Sequence, residues 1–164
     1  MIELVSGQSR SYVTLMALVA IVAAAIDQLT KAIMMATLEP GVPMPIFGDW
    51  FRFYLLFNPG AAFSMGTNST WLFTTIQICF VLGIAWYSRK VPEKWQAVGL
   101  ALIAGGALGN LIDRLFRAPG FYFGHVVDFI SVGSFAVFNI ADSCITIGVI
   151  CFVLGIMREE RAHA

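Results

Sequence analysis

The stretch Gly99-Leu100-Ala101-Leu102-Ile103-Ala104-Gly105-Gly106-Ala107-Leu108-Gly109-Asn110-Leu111-Ile112-Asp113-Arg114 is an apolar run that ends on an amide, a carboxylate and a guanidinium. It sits within a segment, about Trp95–Phe116, long enough as a helix to cross a hydrocarbon core of roughly 30 Å. Its glycines and alanines would let neighbouring helices approach closely. Working outward, three more segments qualify, about Tyr12–Leu38, Trp71–Tyr87 and Ala136–Met157. Trp or Tyr stands at several of their ends, where amphipathic rings prefer the interface. Unpaired backbone groups cannot face hydrocarbon, so each segment is predicted to be helical.

Composition agrees. Of 164 residues, 59% are hydrophobic and only 12% charged, where an ordinary soluble domain is about a quarter charged; the mean hydropathy is +0.81. The formal net charge of zero and the pI near 6.7 leave no basic excess for a nucleic-acid partner. Cys79, Cys144 and Cys151 lie in apolar runs without CxxC spacing, which predicts buried small hydrophobes rather than a metal or redox site. The expected fold is an all-α membrane protein, residues 1–164 forming a single integral membrane domain of four transmembrane helices with a small extracytoplasmic β-sheet platform.

The loop from Ser88 to Lys94 is the most basic short loop, so the positive-inside rule places it in the cytoplasm together with both termini. Arg10, Arg158 and Arg161 fit that orientation. A cleaved leader is the alternative reading of the first segment, because Arg10 precedes an apolar stretch ending in Ala23-Ala24-Ala25. The apolar pattern resumes after Lys31, and an even topology needs a first helix, which favours a retained span.

Two segments remain outside. Residues 40 to 68 carry Pro40-Gly41, Pro43, Pro45 and Gly48-Asp49, then the strand-like run Trp50 to Phe57 before Asn58-Pro59-Gly60. Their aromatic content predicts a small sheet on the membrane surface. The segment Arg117 to Phe135 carries Pro119-Gly120 and the β-branched pair Val126-Val127 beside Asp128, which predicts a strand or turn dipping toward the fourth helix.

Ionisable groups inside a span are costly, and by default they face a cavity with a function. Asp27 and Lys31 lie toward the outer end of the first span, Asn110, Asp113 and Arg114 toward that of the third, and Asn139 and Asp142 near the outer start of the fourth. One polar pocket roofed by the Asn58 sheet would accommodate all of them. Helical spacing supports this: Asp27 and Lys31, and Asn110 and Arg114, are four apart, while Asn139 and Asp142 are three apart. Simple neutralisation would explain the Asp27–Lys31 pair equally well, and snorkelling would explain Arg114. Asp142 is too short to snorkel.

With only His125 and His163 present, an HExxH zinc site is unavailable, and no cofactor is expected. A lone His125 reads as an interfacial residue. Ser64 with Lys31 as base is the serine-dyad rival. Two carboxylates fit better, since a chain reversal between Asp128 and Asp142 would bring them face to face. Like charges at close range share one proton, so the pair can activate a water and protonate the leaving amine. Arg114 and Asn110 would set the charge state or hold the substrate carbonyl.

These motifs together resemble the lipoprotein signal peptidase (signal peptidase II) family. The likeness runs through Asp27-Gln28-Leu29-Thr30-Lys31, Asn58-Pro59-Gly60-Ala61-Ala62-Phe63-Ser64, Gly105 to Arg114, Val126-Val127-Asp128-Phe129 and Phe138-Asn139-Ile140-Ala141-Asp142. The resemblance implies an aspartyl endopeptidase of the bacterial inner membrane that removes prolipoprotein signal peptides, cutting before the diacylglyceryl-modified cysteine. It implies Asp128 and Asp142 as catalytic, with Asn58, Gly60, Asn110, Arg114, Asn139, Asp27, Lys31 and Asp113 as substrate-binding or supporting residues. Prolipoproteins, membrane lipids and cyclic-peptide inhibitors such as globomycin are the implied partners.

A small proton- or ion-coupled transporter is the alternative, with Asp27, Asp128 and Asp142 binding the ion. It requires a polar path to the cytoplasm, whereas the inner halves of the spans carry little besides Gly, Ala, Thr, Cys and apolar residues. A purely structural assembly protein would leave the outer-leaflet acids unexplained.

Overall fold

The computed structural model describes residues 4–60 and 70–163, with side chains described for 12–60 and 70–162. Ser64 and the Ala61–Ser64 part of its motif lie outside the described residues, as does the Arg10 side chain. Among the described residues, four α-helices and three strands follow one another in the order α1 (Leu4–Thr37), β1 (Met44–Phe47), β2 (Phe51–Asn58), α2 (Thr70–Tyr87), α3 (Lys94–Phe116), β3 (Val126–Val132) and α4 (Ile140–His163). Each helix contains a stretch long and apolar enough to span a bilayer. In α3 that stretch is 61% buried inside the protein, against 22%, 17% and 17% in α1, α2 and α4, so α3 is the axis of the bundle.

Small residues make this possible. A Cβ added at Gly105 would lie 2.7 Å from the Ala20 carbonyl oxygen of α1, and one at Gly148 of α4 would lie 2.7 Å from the Gly99 carbonyl oxygen of α3. Lipid offers no hydrophobic drive between helices, so backbone approach of this kind supplies the packing. The start of α3 is capped as its sequence directs. Glu93 accepts the amides of Trp95 and Gln96 at the head of α3.

The fourth helix begins at Ile140, later than the apolar pattern beginning at Ala136 suggests. Phe138 instead forms an antiparallel bridge to Ile130, its amide donating to the Ile130 carbonyl and its carbonyl accepting from the Ile130 amide. Asn139 is therefore the helix cap and not part of a helical polar stripe. The sheet also differs from expectation in reach. Its order is β1-β2-β3, all antiparallel, so the segment carrying Asp128 is its third strand rather than a separate element. Leu38, Leu55, Val127 and Phe129 form a core beneath it, against the sheet-side ends of α1 and α4. Trp50 and Phe47 remain 66% and 72% exposed, as suits rings at an interface.

The cysteines depart from the buried reading. Cys79 is exposed on the lipid-facing side of α2 and the other two are half-buried, because the outer surface of a membrane bundle is itself apolar.

The close α1–α3 crossing predicts that Gly105→Ala lowers stability by about 1–3 kcal/mol through overpacking. Gly83→Ala, where nothing lies within 4 Å, leaves it unchanged or raised. Thermal unfolding of the two variants in detergent checks this.

Candidate active site

Lys31 is completely buried and cannot stand alone in a low-dielectric interior. Its ammonium contacts Asp27 Oδ2 and Asp113 Oδ2, both at 2.7 Å, and donates to Asn110 Oδ1 at 2.8 Å. Each acceptor then reaches another element. Asp27 Oδ1 accepts the Ala141 amide at the head of α4 (2.9 Å), and Asp113 Oδ2 accepts the Val127 amide of β3 (3.1 Å). Asp113 Oδ1 accepts from Gln28 Nε2 at 3.0 Å and from Arg117, one turn further along the chain. The Asp27–Lys31 pair is thus more than an internal neutralisation, since it joins α1 to α3, α4 and β3.

Lys31 also orients the Asn110 amide. With its oxygen taken by Lys31 and by Asn139 Nδ2 (3.0 Å), its nitrogen points at Asp142 Oδ1, 2.9 Å away. Asn139 and Asp142 close a capping box: the Asn139 side chain accepts the Asp142 amide at 2.9 Å, and Asp142 Oδ2 accepts the Asn139 amide at 3.1 Å. The same Asn139 donates from Nδ2 to Asp128 Oδ1 at 2.7 Å. One asparagine therefore holds both carboxylates.

Register explains the remaining contact on Asp128. Asn58 pairs with Val126 and Leu56 with Asp128, so Asn58 and Asp128 are diagonal neighbours on one face of the sheet. Asn58 Nδ2 donates to Asp128 Oδ2 at 3.0 Å, and its Oδ1 accepts the Gly60 amide at 3.0 Å. Arg114, 4% exposed, donates to the Gly60 carbonyl at 2.7 Å and to that of Pro59 at 3.4 Å. Its guanidinium lies 5.6 Å from the centre of the Phe73 ring on α2.

Asn58, Gly60, Asn110, Arg114, Asp128 and Asp142 line one cavity of about 700 Å³ between α2 and α4, whose other walls are largely apolar, with Phe73, Ile76, Val126, Phe138 and Ile145 among them. Burial, and next the charge of Asp142, pushes the Asp128 carboxyl up to about 7, against the opposing pull of Asn58, Lys31 and Asn139. Charge balance points the same way. Lys31, Arg114 and Arg117 face four carboxylates, Asp27, Asp113, Asp128 and Asp142, so one proton on the pair leaves the cluster neutral.

The expected site residues thus meet in one network, with Asp27, Lys31, Asp113 and Asn139 behind the cavity wall. His125 does not line it. Two members were missed in the sequence. Arg117 is four residues from Asp113, a helical spacing that would have shown it, and Gln28 was read only as part of a motif. The spans are also less bare than expected. Gln77 lines the cavity from α2, and the buried Gln96 of α3 donates to Glu159 at 2.6 Å.

Residues 19–158 match the family model described as signal peptidase II. The chain belongs to the signal peptidase II family. A lipoprotein signal peptidase of Rhodococcus jostii (strain RHA1) is 50% identical over 140 residues, covering 85% of this chain and 71% of the relative. One from Mycobacterium avium (strain 104) is 51% identical over 130 residues, covering 79% and 71%. Two solved structures of bacterial membrane enzymes share the fold. One has a TM-score of 0.78 at 30% identity over 90% of each chain. The other has a TM-score of 0.75 at 31% identity, covering 87% of this chain and 92% of that one.

In a signal peptidase II built on this network, Lys31→Met leaves Asp27 and Asp113 without their shared cation. A loss of about 3–5 kcal/mol is expected, read as a large fall in unfolding temperature in detergent.

Proposed function

We propose that Asp128 and Asp142 are the catalytic carboxylates with which this chain carries out its family's reaction, removal of the signal peptide from bacterial prolipoproteins. The observation that carries the proposal is the single Asn139 side chain and amide that bind both carboxylates at the edge of one cavity. In the singly protonated pair, the ionised carboxylate takes a proton from water as its oxygen attacks the scissile carbonyl. The protonated partner gives its proton to the carbonyl oxygen. Collapse of the resulting diol breaks the C–N bond, and a proton passes to the leaving amine.

Asn58, Asn110 and Asn139 hold the pair's geometry, so binding energy is not spent on assembling it. Arg114 clasps the Pro59-Gly60 turn at the cavity rim and offers positive charge to the substrate. The largely apolar walls, open between two helices that each pack chiefly on α3, favour a lipid-anchored substrate cut just before its diacylglyceryl-modified cysteine. Membrane lipids and cyclic peptides such as globomycin suit the same walls.

We read residues 1–164 as one integral membrane domain with both termini cytoplasmic and the cavity at the extracytoplasmic face. Supporting this, Arg89, Lys90, Lys94, Arg158 and Arg161 gather at the end of the bundle away from the sheet. Nothing in the family or the cavity supports the ion-coupled transporter.

Asp128→Asn and Asp142→Asn are each expected to cut cleavage of a diacylglyceryl-modified precursor by about 10³-fold or more while the protein still inserts. Wild-type activity in either variant would remove the proposal. A raised carboxyl pKa keeps the proton on to higher pH. Cleavage is therefore expected to fall as the pH rises through about 7, with a slope of one proton. A pH profile of kcat/KM rising across that range would contradict the shared-proton scheme.

A further inference from the structure

Among the described residues, two buried side-chain polar atoms have no hydrogen-bond partner: Nε of Arg114, a donor, and Oε1 of Gln77, an acceptor. Both residues line the cavity that contains Asp128 and Asp142. They occupy adjoining walls, because Gln77 follows by one turn of α2 the Phe73 ring that lies against the Arg114 guanidinium. Neither satisfies the other. Buried polar atoms without a partner are rare in folded proteins, and a pair of opposite kind in one cavity calls for a ligand that offers both an acceptor and a donor.

An extended peptide in a membrane cavity has the matching requirement. Its backbone N–H and C=O groups find neither water nor a helical partner there, so the walls must satisfy them. We propose that Gln77 is a substrate-positioning residue whose carboxamide oxygen accepts a hydrogen bond from a backbone N–H of the signal peptide, while Arg114 Nε donates to a nearby peptide carbonyl. The inference rests on the cavity being the cleavage site. Because Oε1 is buried, the contact requires a rotation about the broad terminal torsion of Gln77 that turns the oxygen toward the ligand. Such a contact is made equally in the bound substrate and the transition state, so it affects KM and spares kcat. It also disfavours proline at the contacted position, because proline has no N–H.

In proteoliposomes, Gln77→Met keeps the side chain's length without its polar atoms. KM for a diacylglyceryl-modified precursor is expected to rise about five- to tenfold, the effect of one neutral hydrogen bond. kcat changes by less than about twofold and Tm stays unchanged. Precursors N-methylated at one signal-peptide nitrogen at a time then locate the contact. One position costs the wild-type protein a similar factor and costs Gln77→Met nothing further. An unchanged KM, an N-methyl pattern identical in the two proteins, or a Gln77→Met protein that no longer folds overturns the proposal. Failure of the wild-type protein to cleave the lipidated precursor would instead overturn the functional reading on which it rests, and so tells the two failures apart.

Discussion

A single ammonium group, that of Lys31, is the constraint on which the architecture depends. Placed in the bundle with no exposure, it must collect acceptors, and the three it collects belong to α1 and α3. Two of those acceptors, Asp27 and Asp113, also each accept a backbone amide, of α4 and β3 respectively. The third, Asn110, is forced by the ammonium into the one amide orientation that donates to Asp142. A charge in the wall thereby sets the position of a carboxylate in the cavity.

Glycine makes room for this arrangement. A methyl group at Gly109 would fall 2.5 Å from Asp27 Oδ2, so the ion cluster and the α1–α3 crossing need the same small residue. Packing and electrostatics are consequently not separable at this depth of the bundle. The apolar run that allows helices to touch also delivers Asn110, Asp113 and Arg114 to the level at which Lys31 waits.

Much of this is readable in the sequence, since local periodicity carries it. Four apolar stretches identify four helices, and residues spaced three or four apart mark the polar faces of α1 and α3. What escapes is nonlocal or positional. The pairing of β3 with β2 joins Asn58 to Val126 across a long stretch of chain, and no local pattern announces it. Asn139 resembles one more polar residue on a helical stripe, whereas Asn139-Ile140-Ala141-Asp142 is a capping box whose two ends also serve the cavity. Arg117 lies just past the end of α3, where a basic residue reads as an interfacial one unless its four-residue spacing from Asp113 is weighed. Gln77 escapes for a different reason. A lone amide in an apolar span carries no signal until its neighbours show which way the helix turns.

Charge balance links the fold to the proposed chemistry. In lipid, an uncompensated charge within the cluster is more costly than one at a soluble protein's surface. Three cations cannot offset four ionised carboxylates, and of the four, Asp27 and Asp113 are each in contact with Lys31 while Asp128 and Asp142 touch only amides. The proton would therefore settle on the Asp128–Asp142 pair, whose oxygens touch no cation, although Lys31 pulls against it on Asp128 from a distance. A carboxyl pair holding one proton is also the state that can take a proton from water and return one to a leaving group. On this view the protonation state required for hydrolysis needs no separate device. It follows from the neutrality that a buried ion cluster must reach before the helices can pack in a membrane.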